Sequence, residues 1–406
     1  MDILEVSAPG KVILHGEHSV MYGKTALAVS LGLRSSVVLR QQEPTECPVI
    51  NVKFPKVDLD EILPLKPIAE IFPGQPVRVD HEDYINKINT VLCHIRPGFE
   101  ELKDTQKNSL RALLYALAGI FGTANLDITD FTIELSTDLT VGAGTGSSAS
   151  FATCLCGVFV KLVQLKTTGE VLDFSDDEKK LVSGWAFNCE RIMHGAPSGI
   201  DNTTCTFGAL VSFKKGQVPV LRPSPELRVL LVDSGVSRET IRLAAAVAEL
   251  RECYSSAVGH IMDAMDNVAV TAEQVRVLQV SDVGFFRDAY LLVVLLQKLV
   301  QPESEEEVNS AYKHLNELWE MNHCLLASLG VSHPALETIR AIAHEHGLAC
   351  KLTGAGGGGN AIVLVPPHTQ ETTVTSLKTK LVSSGYKVTD TIVGGPGVTV
   401  HYKTVQ

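Results

Sequence analysis

Apolar positions along the first forty residues come in short strand-like blocks. Val6 to His15 is such a block with Pro9-Gly10 inside it, and Ala26 to Leu33 and Val37 to Leu39 predict further strands. The pattern then breaks. Seven prolines between 41 and 80 (Pro44, Pro48, Pro55, Pro64, Pro67, Pro73 and Pro76), mixed with charges, predict a loop and short-strand excursion. Gln106 to Phe121 has helical spacing, with Leu110, Leu113, Leu114 and Leu117 on one face. Phe131 to Leu135 alternates as a strand, and a glycine cluster at 142–146 leads into an apolar helix from Ser147 to about Leu165. Ser175 and Glu178 form a capping box that opens a helix carrying Leu181, Val182, Trp185, Cys189 and Ile192 and ending near Gly195. Gly208 to Phe213 and Leu227 to Val232 are strands on either side of a proline-rich link at 219–225.

Beyond that link the period changes to 3.6. Long helices are expected at about 238–266, 285–300, 304–329 and 333–346. Strands Ala349 to Leu352 and Ala361 to Val365 flank a loop with five glycines. A helix over 370–383 and strands at Lys387 to Val393 and Val398 to His401 follow. The chain reads as α+β, divided into residues 1–225 and 226–406, with helices of the second part packed on an antiparallel sheet. The most apolar stretch, Ala289 to Val300, is interrupted by Gln297 and Lys298. It falls short of the ~18–20 residues of a membrane span, so no membrane association is expected.

Composition narrows the function. The 406 residues are 45% hydrophobic, which excludes a disordered chain. A net charge of -11 argues against a nucleic-acid partner, which needs a basic stripe, but leaves room for an anionic substrate in a locally positive pocket. Nine scattered cysteines make no C-x-x-C pair, so neither a zinc ribbon nor a redox dithiol is expected, and most should be buried thiols. The opening MDILEVSAPGK has no apolar signal core, which suits a cytoplasmic protein.

Four segments carry candidate chemistry. Gly142-Ala143-Gly144-Thr145-Gly146-Ser147-Ser148 leads into a helix whose free N–H groups and dipole suit a phosphate; the alternative is a tight turn with a serine cap. Thr353 to Gly359 contains G-x-G-x-x-G, but a strand follows it instead of a helix, so a dinucleotide site is rejected and close approach to phosphates is preferred. Lys11, in an apolar strand after Pro9-Gly10, is either a snorkelling surface residue or the neutralising cation of a site, with Glu17 and His18 following a glycine nearby. Glu190, near a helix C-terminus, calls for a compensating partner such as Mg²⁺. Asp201, after a glycine-proline-glycine loop, is either a proton acceptor for a hydroxyl nucleophile or the head of an Asx turn.

Taken together, Ala8 to His18 (APGKVILHGEH), the loop at 142–150, Glu190 to Asn202 (ERIMHGAPSGIDN) and Lys351 to Gly359 (KLTGAGGGG) stand in one order and spacing. In this they resemble the GHMP small-molecule kinases, in the branch that acts on mevalonate. The resemblance implies an N-terminal α/β domain with a left-handed βαβ unit and a ferredoxin-like C-terminal domain. It implies ATP as co-substrate, Mg²⁺ as cofactor, mevalonate as acceptor and a homodimer. Asp201 then matches the base for the mevalonate C5 hydroxyl. Lys11 matches the lysine that lowers the pKa of that hydroxyl and contacts the transferring phosphoryl group. Ser148 and Glu190 match the Mg²⁺ ligands, residues 142–148 the phosphate loop, and Glu17, His18, Thr240, Gly356 and Gly357 positions near substrate. The family loop usually reads Gly-Leu-Gly-Ser-Ser-Ala-Ala after prolines. Here Thr145, Ser150 and Thr140-Val141 intrude, which implies a softer loop. Phosphomevalonate or a sugar as substrate, and a silent nucleotide-binding module, are the competing readings.

Overall fold

The computed structural model describes residues 2–43, 45–71, 81–195, 197–208, 210–214, 220–222, 226–237, 240–270 and 304–404. Its centre is an antiparallel ribbon of β1 (Asp2–His15) and β2 (Thr25–Gln41). The two strands expected at 26–33 and 37–39 are one. Arg34, between the two expected segments, is satisfied inside the fold: its guanidinium donates to Ser7 O and Gly397 O at 2.9 and 2.7 Å. A register shift at Pro9/Gly10 takes up the irregularity.

The proline-rich excursion contains β3 (Val49–Phe54), β4 (Leu59–Pro64) and the short helix α1 (Leu65–Ala69). A helix not expected from the sequence, α2 (His81–Ile95), follows, burying Tyr84, Ile88 and Leu92 at fourfold spacing. Next come α3 (Asp104–Ala124), β5 (Phe131–Thr137), α4 (Ser147–Thr168) and α5 (Asp176–His194). The expected capping box is present: Glu178 N–H donates to Ser175 Oγ at 3.2 Å, and Ser175 N–H donates back to Glu178 Oε2 at 2.8 Å. α4 is long and apolar enough to cross a membrane, but 78% of that apolar window is buried in the protein core. The helix α6 (Ile200–Phe207) then leads to β6 (Leu210–Lys214), β7 (Val220–Arg222) and β8 (Leu227–Asp233).

The helix expected over 238–266 is two, α7 (Thr240–Cys253) and α8 (Ser255–Val270), broken at Tyr254. The helix expected at 285–300 lies outside the described residues. α9 (Glu305–Ser328), α10 (Pro334–Glu345), β9 (Cys350–Leu352), β10 (Asn360–Leu364), α11 (Glu371–Ser383), β11 (Lys387–Val393) and β12 (Thr399–Thr404) complete the chain. β11-β8-β10-β9 is the spatial order, so the four strands of this half stand 4-1-3-2, the ferredoxin-like order. β2 pairs with β11, joining both halves in one twelve-stranded sheet, and β12 returns to pair with β1. Among the described pairings, β3 with β5 is the parallel one. Five of the nine cysteines are buried, in line with the expectation for most of them, and Cys47, Cys93, Cys253 and Cys324 are exposed.

The halves also meet through polar groups. Lys351 on β9 and Glu17 after β1 are both buried and form an ion pair of 2.6 Å. His15 at the end of β1 is fully buried beside them. Burial, with the Lys351 charge added, pushes its imidazole down to about 3. An unfolded histidine titrates near 6.5, so this neutral His15 contributes stability that is complete above that value and drains away as pH falls toward 3. Urea unfolding across pH 6 to 4 should show His15 contributing a loss of about 1.4 kcal/mol per pH unit. His15→Gln should flatten the slope by that amount; equal slopes in the two proteins would contradict the assignment.

Candidate active site

Two backbone approaches build the site. Lys11 N–H donates to Thr145 O at 2.8 Å, fastening β1 to the loop before α4. At Gly146, φ is +75° and an added Cβ would stand 2.8 Å from Lys11 Cγ, so only glycine lets loop and strand come this close. α4 starts directly after it, and Gly146, Ser147 and Ser148 line a cavity of about 670 Å³. The helix start presents free N–H groups and a positive dipole end there. Ser150, one turn in, donates to Ala8 O at 2.8 Å and accepts from Ser35 N–H at 3.3 Å. The expected softening of the loop is thus offset by bonds that the family's usual alanine cannot make.

α5 and α6 supply the acids. Asp201 sits in the first turn of α6, behind Gly199, and Asn202 holds that turn to α5 through bonds of 2.9 Å to Ser183 O and Oγ. Asp201 Oδ1 stands 3.2 Å from Lys11 Nζ. Glu190 is buried, with Oε1 accepting from Ser148 Oγ at 3.3 Å, and His194 Nε2 is 2.9 Å from the same hydroxyl. Burial first, then the neighbouring Asp201, raises the Glu190 carboxyl to about 8, against the opposing pull of Lys11 and Ser148. Its Oε2 is buried without a hydrogen-bond partner. A carboxylate so placed, beside a serine hydroxyl at a helix N-terminus, fits the hard oxygen set that Mg²⁺ takes together with phosphate oxygens.

Of the residues singled out from the sequence, Lys11, Gly142, Gly144, Gly146, Ser147, Ser148, Glu190, Asp201 and Thr240 line the cavity. The rest lie outside its lining. Ala143 O accepts from Asn360 Nδ2 at 3.1 Å, and Thr145 O accepts from Lys11. Glu17 faces Lys351, and His18 Nε2 donates to Ala355 O at 2.8 Å. Gly356 and Gly357 pack on protein: a Cβ would stand 2.0 Å from Val331 O at the first and 2.6 Å from Leu243 Cδ1 at the second. From the five-glycine loop, Gly354 and Ala355 reach the cavity. A further wall comes from Lys56, Val57, Asp104, Thr105 and Asn108. The sequence offered no signal for these beyond the helix expected from Gln106. His344 and His346, near the end of α10, turn to different partners: Glu320 at 2.7 Å and Ser376 at 3.1 Å.

Comparison with known proteins gives this geometry a family. The GHMP kinases N terminal domain matches residues 108–209, and GHMP kinases C terminal matches 303–382. Together with a full-length relative at 32% identity, these matches make the chain a member of the GHMP kinase family. Within it the similarity runs to the mevalonate kinases. That of Mus musculus is 32% identical over 411 residues, covering 98% of this chain and 95% of its own. That of Homo sapiens is 30% identical, covering 99% and 96%. The crystal structure of L. major mevalonate kinase in complex with R-mevalonate has the same fold, with a TM-score of 0.62 at 19% identity, covering 96% of this chain and 95% of that one.

Burial beside Asp201 holds the Glu190 carboxyl protonated at a pH where it would ionise in the unfolded chain, which is a local cost in the free protein. Glu190→Gln should therefore melt a few degrees higher than the wild type without nucleotide, by differential scanning calorimetry, while losing most of its activity. An unchanged or lower melting temperature would show that Glu190 is stabilising where it stands.

Proposed function

We propose that the protein transfers the terminal phosphoryl group of ATP to the C5 hydroxyl of mevalonate, giving 5-phosphomevalonate and ADP, an early step of isoprenoid and sterol precursor synthesis. The observation that carries the reading is the Lys11–Asp201 pair, 3.2 Å apart, on a cavity that also holds the start of α4. The full-length relatives named mevalonate kinases support the choice of acceptor.

The chain's own groups account for the transfer. Nucleotide phosphates lie along residues 142–148, where the helix start and backbone N–H groups meet their charge. Asp201 accepts the proton of the C5 hydroxyl as its oxygen bonds to the γ-phosphorus and the bond to the ADP oxygen breaks. Lys11, held beside Asp201, lowers the pKa of that hydroxyl and balances charge on the moving phosphoryl group. Ser148 and Glu190 would hold Mg²⁺, which when bound would neutralise phosphate oxygens. Thr240, Gly354 and Ala355 line the same cavity, and in this reading they face the acceptor. The same reading carries a homodimer acting in the cytoplasm.

The test is ADP release coupled to mevalonate addition, with phosphomevalonate and galactose as competitors. Mevalonate should support turnover, and Asp201→Asn should lower kcat by roughly 10²–10⁴-fold. No mevalonate-dependent ADP, faster turnover of a competitor, or an Asp201→Asn enzyme near wild-type rate would each overturn the assignment.

A further inference from the structure

Outside the cavity, a set of buried polar bonds joins the segment after Lys11 to the five-glycine loop. Lys351 is fully buried on β9, and its Nζ donates to Glu17 Oε1 at 2.6 Å, Leu352 O at 2.7 Å and Ile13 O at 3.5 Å. The other Glu17 oxygen accepts from Asn322 Nδ2 at 3.0 Å, so the carboxylate ties β1 to both β9 and α9. One residue beyond Leu352, Thr353 Oγ1 donates to Ile13 O at 2.9 Å and accepts from Ile13 N–H at 3.1 Å. His18, bonded to Ala355 O, holds φ 58° and ψ -47°, a conformation that a side chain adopts only where its surroundings fix it. Lys11 stands two residues before Ile13 in the same strand.

A buried ion pair is a poor way to gain stability, since apolar residues of the same shape hold two surfaces at least as well. What it supplies is register: each charge has one place where it is matched. We propose that Lys351 and Glu17 are positioning residues for the phosphoryl transfer described above, setting where the Lys11 strand lies against the Gly354-Ala355 edge of the cavity without touching substrate. The proposal rests on that reading of the site. It also moves Glu17 from the substrate's vicinity, as the family resemblance implied, to the joint behind it.

The experiment compares the full-length wild type with Lys351→Met and with the double variant Glu17→Gln/Lys351→Met, which leaves no unmatched buried charge. Steady-state kinetics are read beside hydrogen exchange over residues 353–359, at a temperature where each protein is folded. The double variant should lose kcat at least tenfold, with KM for mevalonate and ATP within about threefold, and its loop amides should exchange faster. A purely structural pair would lower the melting temperature and leave kcat alone; kcat within threefold of wild type in the double variant overturns the proposal. The wild type alone also tests it. Gly357 and Gly359 N–H, bonded to Val331 O and Val236 O at 2.8 and 2.9 Å, should exchange slowly, and exchange at the rate of an open loop contradicts a fixed register. A wild type without mevalonate-dependent turnover would sink the functional reading, while the exchange result would still report on the joint.

Discussion

The close passage of β1 over the phosphate loop is the constraint from which the site follows. The Lys11 N–H to Thr145 O bond and the bare face of Gly146 set strand and helix start at van der Waals distance. That single approach places a cation beside the α4 N-terminus. α5 and α6 then deliver Glu190 and Asp201 to the same point. Had Gly146 carried a Cβ, the loop would have to retreat and the Lys11–Asp201 pair would open. The acidic chain, at -11, can attract anions here because the positive elements are concentrated at this one crossing.

Much of this was legible in the sequence, for identifiable reasons. The Ser175–Glu178 box and the apolar stripe of α3 are local signals, and they appear where the pattern put them. Gly142, Gly144, Gly146, Ser147, Ser148, Lys11, Glu190 and Asp201 were legible through the joint order and spacing of their segments, each of which alone had a plain structural alternative, and they meet on one cavity. Part of what stayed hidden depended on distant partners. The segments at 26–33 and 37–39 run as one strand across Arg34, whose acceptors Ser7 O and Gly397 O lie far off in the chain or across the sheet. α2 carries a helical apolar spacing at Tyr84, Ile88 and Leu92 that the proline-rich stretch before it masked, and the break at Tyr254 has no glycine or proline to announce it.

The five-glycine loop teaches the same lesson from the other side. Its composition suggested phosphate contact throughout. Yet Gly356 and Gly357 are small because Val331 and Leu243 crowd them, and the loop meets the cavity through Gly354 and Ala355. Likewise Glu17 and His18 carry polar groups because they hold this loop, through Lys351 and Ala355. A polar residue beside a glycine signals a constrained place; whether the constraint serves a ligand or a domain joint is decided by residues more than 300 positions away.

The central claim is that Lys11 and Asp201 face the reacting oxygen. The most direct measurement is a crystal structure of the full chain with mevalonate and a non-hydrolysable ATP analogue. The account predicts the C5 oxygen within about 2.6–3.2 Å of an Asp201 carboxylate oxygen, with the terminal phosphate between it and the α4 N-terminus. Mevalonate bound with its C5 hydroxyl turned away from Asp201, or nucleotide phosphates lying elsewhere than residues 142–148, would contradict it.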